Sequence, residues 1–386
     1  MRTASNIREH ARLGLPAAKK YFTIAPAAPH ALHMTSHIYL AAGMWDEVVK
    51  ANEQATRVSA ERAQKAGRPP GSCGHTNMWL MYGYLQEGRP DAARRVLDGC
   101  RTAAISANGL AVSSAEQDPL DPDNIPAGSY IQMWSRYIID TEGWSDSLVR
   151  EDLPLGDLTN AKLTRAFVRA LAAGRRSDAV ALKDALARLQ DERQSLERVL
   201  AVRREGSDGY RVRAEVLERE IQALALLAEN KRDEAEVLLR DAAAKEQAMP
   251  IEFGPPFVDK PAPELLGDVL LAMGRATDAA AAYESALRRA PNRAASVRGL
   301  AQARSTKEAE EFKWVVIVPR FRVGFHGLRT DLARRRHELI ALQRISSLRI
   351  PSIDEPHRRS GRFAIDLDRE LVHRCASAKP EHVIYG

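Results

Sequence analysis

One unit near the end of this chain constrains its fold more than any other feature. Counting Lys260 as position 1 of a frame of about 34 residues, Leu266 falls at 7, Gly267 at 8, Ala279 at 20, Tyr283 at 24, Ala286 at 27 and Pro291 at 32. Small residues at 8, 20 and 27 let two antiparallel helices approach closely, and the large residues at 7, 11 and 24 fill the space between them. Gly274, at position 15, stands where the first helix must stop and positive φ is needed. Pro291 ends the second helix, because it cannot continue the hydrogen-bond ladder.

Weaker copies precede this unit. Gly43 frames one from Pro29, with Tyr39 at 11 and Ala55 at 27, and Gly88 frames one from Gly74, with Leu80, Tyr84 and Ala93. Gly143, followed by Trp144, marks a degenerate copy. Gly174 marks one with Ala166, Phe167 and Ala179, and Asn230 one with Leu226, Ala235, Leu239 and Ala242. A turn recurs as GMWDEV, GRPDAA, GRRSDA, NKRDEA and GRATDA, its acid placed to cap the second helix. Residues 104–128 read as a loop. Their Asp118, Asp121 and Asp123 lack the Gly and Glu of a calcium loop and read as capping acids around a Pro-bounded turn. Residues 180–203 read as a long charged helix, and FGPPFVDKPAP (253–263) as a stiff entry into the last unit.

The pattern resembles the tetratricopeptide repeat, specifically at residues 260–293. The stretch APHALHMTSHIYLAAGMWDEVVKANEQA (28–55) and the ELLGDVLLAMG segment further resemble a group of bacterial tetratricopeptide proteins of largely unassigned activity. The resemblance covers about residues 8–300. It implies an all-α, right-handed α-solenoid of about five helix pairs and a half, a scaffold or binding role, and no catalytic residues. In those relatives a His-rich helical segment precedes this point, so the chain is expected to be truncated at its start. Residues 1–28 are expected to form an unpaired helix, a half repeat with an apolar face open to self-association. Residues 29–303 are expected to form the array, and 304–386 a basic, loosely structured extension.

The charge supports that division. The chain carries 57 Lys/Arg and 51 Asp/Glu, and the whole basic excess lies in residues 304–386, with 17 Lys/Arg against 11 Asp/Glu. There, KWVVIVPRF (313–321) reads as a short strand and residues 330–348 as a basic amphipathic helix. Arg334, Arg335, Arg336, Arg344, Arg358 and Arg359 offer a nucleic-acid contact without any readout motif, and a solvated extension is the preferred reading. A 45% hydrophobic content excludes wholesale disorder, and no run approaches the ~20 apolar residues of a membrane span. Residues 1–14 carry charges and no apolar run, so no secretory signal is expected there. Cys73, Cys100 and Cys375 are far apart and odd in number, which reads as reduced thiols in a cytoplasmic protein.

One cluster could carry chemistry. His30, His33 and His37 share an arc of about 60° on one helix, at frame positions 2, 5 and 9. His75 takes position 2 of the next repeat, and first helices of neighbouring repeats lie roughly 10 Å apart; His10 is a further candidate. In the resembled family these positions face the concave groove. Its carboxylate clamp places Lys at 5 and Asn at 9, whereas this chain has His33 and His37. Three readings stand: Zn²⁺ or a similar ion on His33 and His37 with a third histidine, His30 or His75; a polar floor for a peptide or acidic partner, lined by His30, His33, His37, His75, Met78 and Tyr82; or helix-start packing without a ligand. The sequence favours a protein- or peptide-binding scaffold with no cofactor and no catalysis. A metal-dependent hydrolase on the histidines and nucleic-acid association through the tail are the alternatives. No HExxH, GxSxG, P-loop or GxGxxG signature supports an enzyme.

Overall fold

The computed structural model of the protein describes residues 4–106, 120, 125–203, 207–251 and 254–317. Among these it holds thirteen α-helices, one short 3-10 helix (Ser147–Arg150) and no strand. The helices are α1 (Ala4–Ile24), α2 (Pro29–Ala41), α3 (Trp45–Lys65), α4 (His75–Gln86), α5 (Pro90–Ala104), α6 (Pro126–Asp140) and α7 (Thr159–Arg175). They continue as α8 (Ala179–Ala201), α9 (Asp208–Ala228), α10 (Arg232–Ala248), α11 (Ala262–Ala272), α12 (Ala276–Arg289) and α13 (Ala294–Ile317). Each helix packs on the next, and α4 on α6, α7 on α9, α9 on α11 and α11 on α13 form a second layer of alternate helices. Proline opens α2, α5 and α6, where its missing N–H costs nothing. No described helix is long and apolar enough to cross a membrane.

The close approaches foreseen in the last unit are present. The Tyr283 ring lies against Gly267 and Gly299, and a Cβ at Gly267 would meet it at 2.9 Å. Its hydroxyl donates to Asp268 Oδ1 at 2.7 Å. Leu266, Ala279, Tyr283 and Ala286 are all buried.

Several local expectations are corrected. Gly174 does not end its helix. It lies inside α7, where a Cβ would meet Leu224 at 2.8 Å, and the left-handed residue of that turn is Ser177. At the degenerate unit it is Glu142, not Gly143, that takes positive φ. Of the turn acids, Asp178 caps its helix, accepting from the Ala181 N–H at 3.0 Å. Asp46, Asp91, Asp233 and Asp278 lie within the first turns of α3, α5, α10 and α12 instead, because those helices begin before them; there they face the positive end of the helix dipole. The stretch expected as a strand from Lys313 continues helix α13 to Ile317. Cys73 and Cys100, expected as separate thiols, form a disulfide, because adjacent helices bring the start of α4 beside the end of α5.

The described residues belong to one compact unit, which takes in residues 304–317 of the extension expected from 304. The basic helix expected at 330–348, its arginines, and Asp118, Asp121 and Asp123 lie outside the described residues. In that unit α1 packs on α2, with Gly14 against Ile38 and with Ala11 and Ala18 buried, while Leu13 (76% exposed), Tyr21 and Ile24 face solvent.

The turn between α2 and α3 meets the turn between α12 and α13. Asn292 Nδ2 donates to the Gly43 carbonyl at 3.1 Å, and Trp45 Nε1 donates to the Asn292 carbonyl at 2.8 Å. Gly43 is required twice over: its φ is +70°, and a Cβ would sit 2.6 Å from the Pro291 oxygen. Gln86 Oε1 accepts the Ala294 N–H at 2.9 Å. Between these contacts lies Arg293, 1% exposed. It donates to Glu264 Oε2 at 2.9 Å, to Tyr82 Oη at 3.1 Å and to both oxygens of Asp140. Burial alone would favour neutral Glu264, yet Arg293 and Lys260 hold its carboxyl well below the usual range. Ser296 and Lys260 also donate to Glu264.

A second buried cation completes the interior. Arg213 bonds Asp259, Asn160 Oδ1 (2.9 Å), Thr164 Oγ1 (2.8 Å) and the Phe257 carbonyl (2.7 Å). Among the described residues, two buried acids, Glu220 and Glu246, have no ion-pair partner. Burial raises Glu220, whose oxygens have no hydrogen-bond partner, well above the usual range, and it raises Glu246 to about 7. The segments 257–264 and 290–296 thus occupy the side of α4, α6, α7 and α9 on which an open groove was expected. Met78 and Tyr82, assigned to its wall, are each 1% exposed.

Arg293→Met leaves Asp140 without its buried cation and Glu264 with Lys260 alone, and should cost about 3–5 kcal/mol of unfolding free energy in urea denaturation. Arg304→Met, which breaks an exposed pair with Glu284, should cost less than about 1 kcal/mol. Equal small losses would contradict a closure held by Arg293.

Candidate metal centre

Helix α2 carries His33 and His37 one turn apart, so both project from the same face. Helix α4 begins with His75 and carries Trp79 one turn later. The packing of α2, α3 and α4 brings one nitrogen of each of His33, His37 and His75 within 4.8 Å of the others. His33 and His37 Nε2 atoms are 3.1 Å apart. A tetrahedral Zn²⁺ with bonds of about 2.0–2.1 Å would set such nitrogens about 3.3–3.4 Å apart, close to the His33–His37 separation. The aromatic contacts are tight: the His75 ring lies 3.9 Å from that of Trp79 and 4.7 Å from that of His33.

Asn52 on α3 sets the proton positions. Its Nδ2 donates to the Val48 carbonyl at 2.8 Å, which turns Oδ1 toward His33 Nδ1 at 2.7 Å. An amide oxygen only accepts, so His33 carries its proton on Nδ1 and directs the Nε2 lone pair at its neighbours. With His33 in that tautomer, the 3.1 Å contact between the two Nε2 atoms calls for a proton on His37 Nε2. Burial is the largest influence on His33 and lowers its pKa to about 4; the hydrogen bond to Asn52 opposes it, and His75, His37 and His30 lower it further. His33 is 2% exposed, whereas His37 and His75 are half-buried, so the group opens toward solvent on one side.

The group therefore has one neutral imidazole, His33, whose tautomer is fixed by Asn52 as metal-ligating histidines require, with two further imidazoles beside it. It contains no carboxylate, and imidazole donors suit Zn²⁺, Cu²⁺ and Ni²⁺. His30 is exposed and stands outside the group of three. The side chain of His10 lies outside the described residues. The sequence reading missed Asn52, although a signal exists: it occupies frame position 24, the core position of Tyr283 in the last unit, and is fully buried. Trp79 lies over the histidines with its indole N–H buried and unpartnered.

Set against family models, curated proteins and solved structures, the chain matches none of them.

The His33 environment has a measurable consequence. Unfolded, the ring takes up a proton near pH 6.5; folded, it does so at about 4. The folded state holds fewer protons between those values, so the His33 contribution to stability is full above pH 6.5 and declines as pH falls toward 4, by roughly 3 kcal/mol. Nitrogen-15 NMR of the histidines should show His33 neutral and protonated on Nδ1 down to about pH 5. A midpoint near 6.5, or the Nε2–H tautomer, would contradict this geometry.

Proposed function

We propose that this protein binds a divalent transition-metal ion, Zn²⁺ being the representative case, through His33, His37 and His75, on a tetratricopeptide-like framework. The observation that carries this reading is the convergence of three imidazoles from two helices, one of them locked by Asn52 with its free nitrogen aimed into the group. A packing role for His33 explains its burial. It does not call for two further histidines within 4.8 Å and for an amide whose own hydrogen bond fixes which nitrogen stays open. Three neutral ligands leave a bound dication its full charge and a fourth position on the half-exposed side. Such an ion serves as a Lewis acid or as an anchor for an anionic group.

The expected peptide-binding groove is the weaker reading. The surface it would use is covered by residues 257–264 and 290–296, with Arg213 and Arg293 saturated by the chain's own acids.

Titration of untagged protein with Co²⁺, followed by its visible absorption and by calorimetry, tests the proposal. About one equivalent should bind. His33→Ala should abolish stoichiometric binding, and Asn52→Leu should weaken it roughly 10–100-fold. No saturable binding, or unchanged affinity in His33→Ala, would refute it.

A further inference from the structure

We infer that metal affinity at the three-histidine group is under thiol–disulfide control, exerted through the Cys73–Cys100 bond on His75; the inference rests on the metal-binding reading above. The connection between helices α3 and α4 shows why. After Gly67 the chain runs through exposed residues 68–71. Among the described residues, Pro69–Ser72 are tied down by one long hydrogen bond, from Asn77 Nδ2 to the Gly71 carbonyl at 3.5 Å. The firm attachment comes next, at Cys73, which is joined to Cys100.

Cys100 is a rigid anchor. It is fully buried on α5, beside Ala93 and Leu97, which are equally buried. On the other side of the bond a single residue, Gly74, separates Cys73 from His75. Gly74 has a φ of +104°, a conformation that Gly alone adopts readily, so the direction in which the chain enters α4 is held by the crosslink and by no side chain of its own. His75 is the first residue of α4, in the turn where helices fray. By contrast, His33 and His37 lie within α2, and the rest of α4, from Asn77 to Gln86, is buried. Of the three ligands, only His75 has a position that depends on a short segment fastened by the disulfide.

Cys73 is partly exposed while Cys100 is fully buried, so attack falls on the Cys73 side of the bond. A thiolate of a dithiol reductant attacks the Cys73 sulfur, forming a mixed disulfide and expelling the Cys100 thiolate, which takes a proton. The reductant's second thiolate then attacks its own sulfur in the mixed disulfide and releases the Cys73 thiolate, which takes the second proton. Two electrons pass from the dithiol, which becomes a disulfide, to the protein, which becomes a dithiol. Reduced protein keeps two fixed imidazoles and a loosened third, and binds the ion more weakly.

The test compares Co²⁺ affinity of the full chain in three forms: oxidised wild type with the bond verified by mass spectrometry of peptides, wild type reduced with a non-chelating phosphine, and Cys73→Ala/Cys100→Ala. Far-ultraviolet circular dichroism confirms that each is folded. Oxidised protein should bind at least about tenfold more tightly than the other two, whose affinities should agree. His33→Ala, oxidised, is the control without binding. Equal affinity in oxidised and reduced protein, or tighter binding after reduction, overturns redox control while leaving the metal site standing. Absence of binding to oxidised wild type overturns the metal site and this inference together. Failure of the bond to form under an oxidising glutathione buffer overturns the inference alone. If the double variant is unfolded, the reduced wild type decides.

Discussion

The guanidinium of Arg293 is the interaction on which this structure depends. It is a full charge in the protein interior, and such a charge persists only when its partners surround it. Those partners come from three helices far apart in sequence: Tyr82 on α4, Asp140 on α6 and Glu264 on α11. Its immediate neighbours continue the closure, Asn292 to the Gly43–Trp45 turn and Ala294 to Gln86. Stacked helix pairs contacting only their neighbours would leave the ends independent. Here an ion cluster fastens the second and third pairs to the last, and a hydrogen-bonded turn fastens the first.

This closure bears directly on the histidine group. Helix α4 is held at its end by Gln86 and at its middle by Tyr82, so its register against α2 is fixed where Trp79 meets His33 and His37. Gly254, in the segment that fills the interior, lies against the Trp79 ring, and a Cβ there would meet it at 2.8 Å. The site is therefore built by three layers of support: Asn52 for the tautomer, Trp79 and its backing for the position of the rings, and the Cys73–Cys100 bond for the entry of α4.

Much of this was legible in the sequence where the signal was local. The spacing of small and large residues around Tyr283 gave the helix pair, and the four-residue spacing of His33 and His37 placed both on one face. Position 2 of the next repeat brought His75 within reach, since neighbouring first helices are about 10 Å apart. What escaped was long-range or context-dependent. The Arg293–Asp140 pair spans 153 residues, and no periodicity announces which charge will be buried. The crosslink of Cys73 to Cys100 follows from helix adjacency and not from cysteine spacing. Gly174 serves helix approach instead of a turn, a distinction only its contact with Leu224 reveals. The WVVIV stretch favours a strand by its branched residues, yet it begins as a continuation of α13, showing how a helix already under way overrides local preference.

The central claim is that three imidazoles converge to hold one metal ion, and X-ray absorption at the zinc edge of the loaded, untagged protein tests it most directly. The account predicts a first shell of nitrogen and oxygen scatterers at about 2.0–2.1 Å with the multiple scattering of three histidine rings. A shell containing sulfur at about 2.3 Å, or one without histidine scattering, would contradict it.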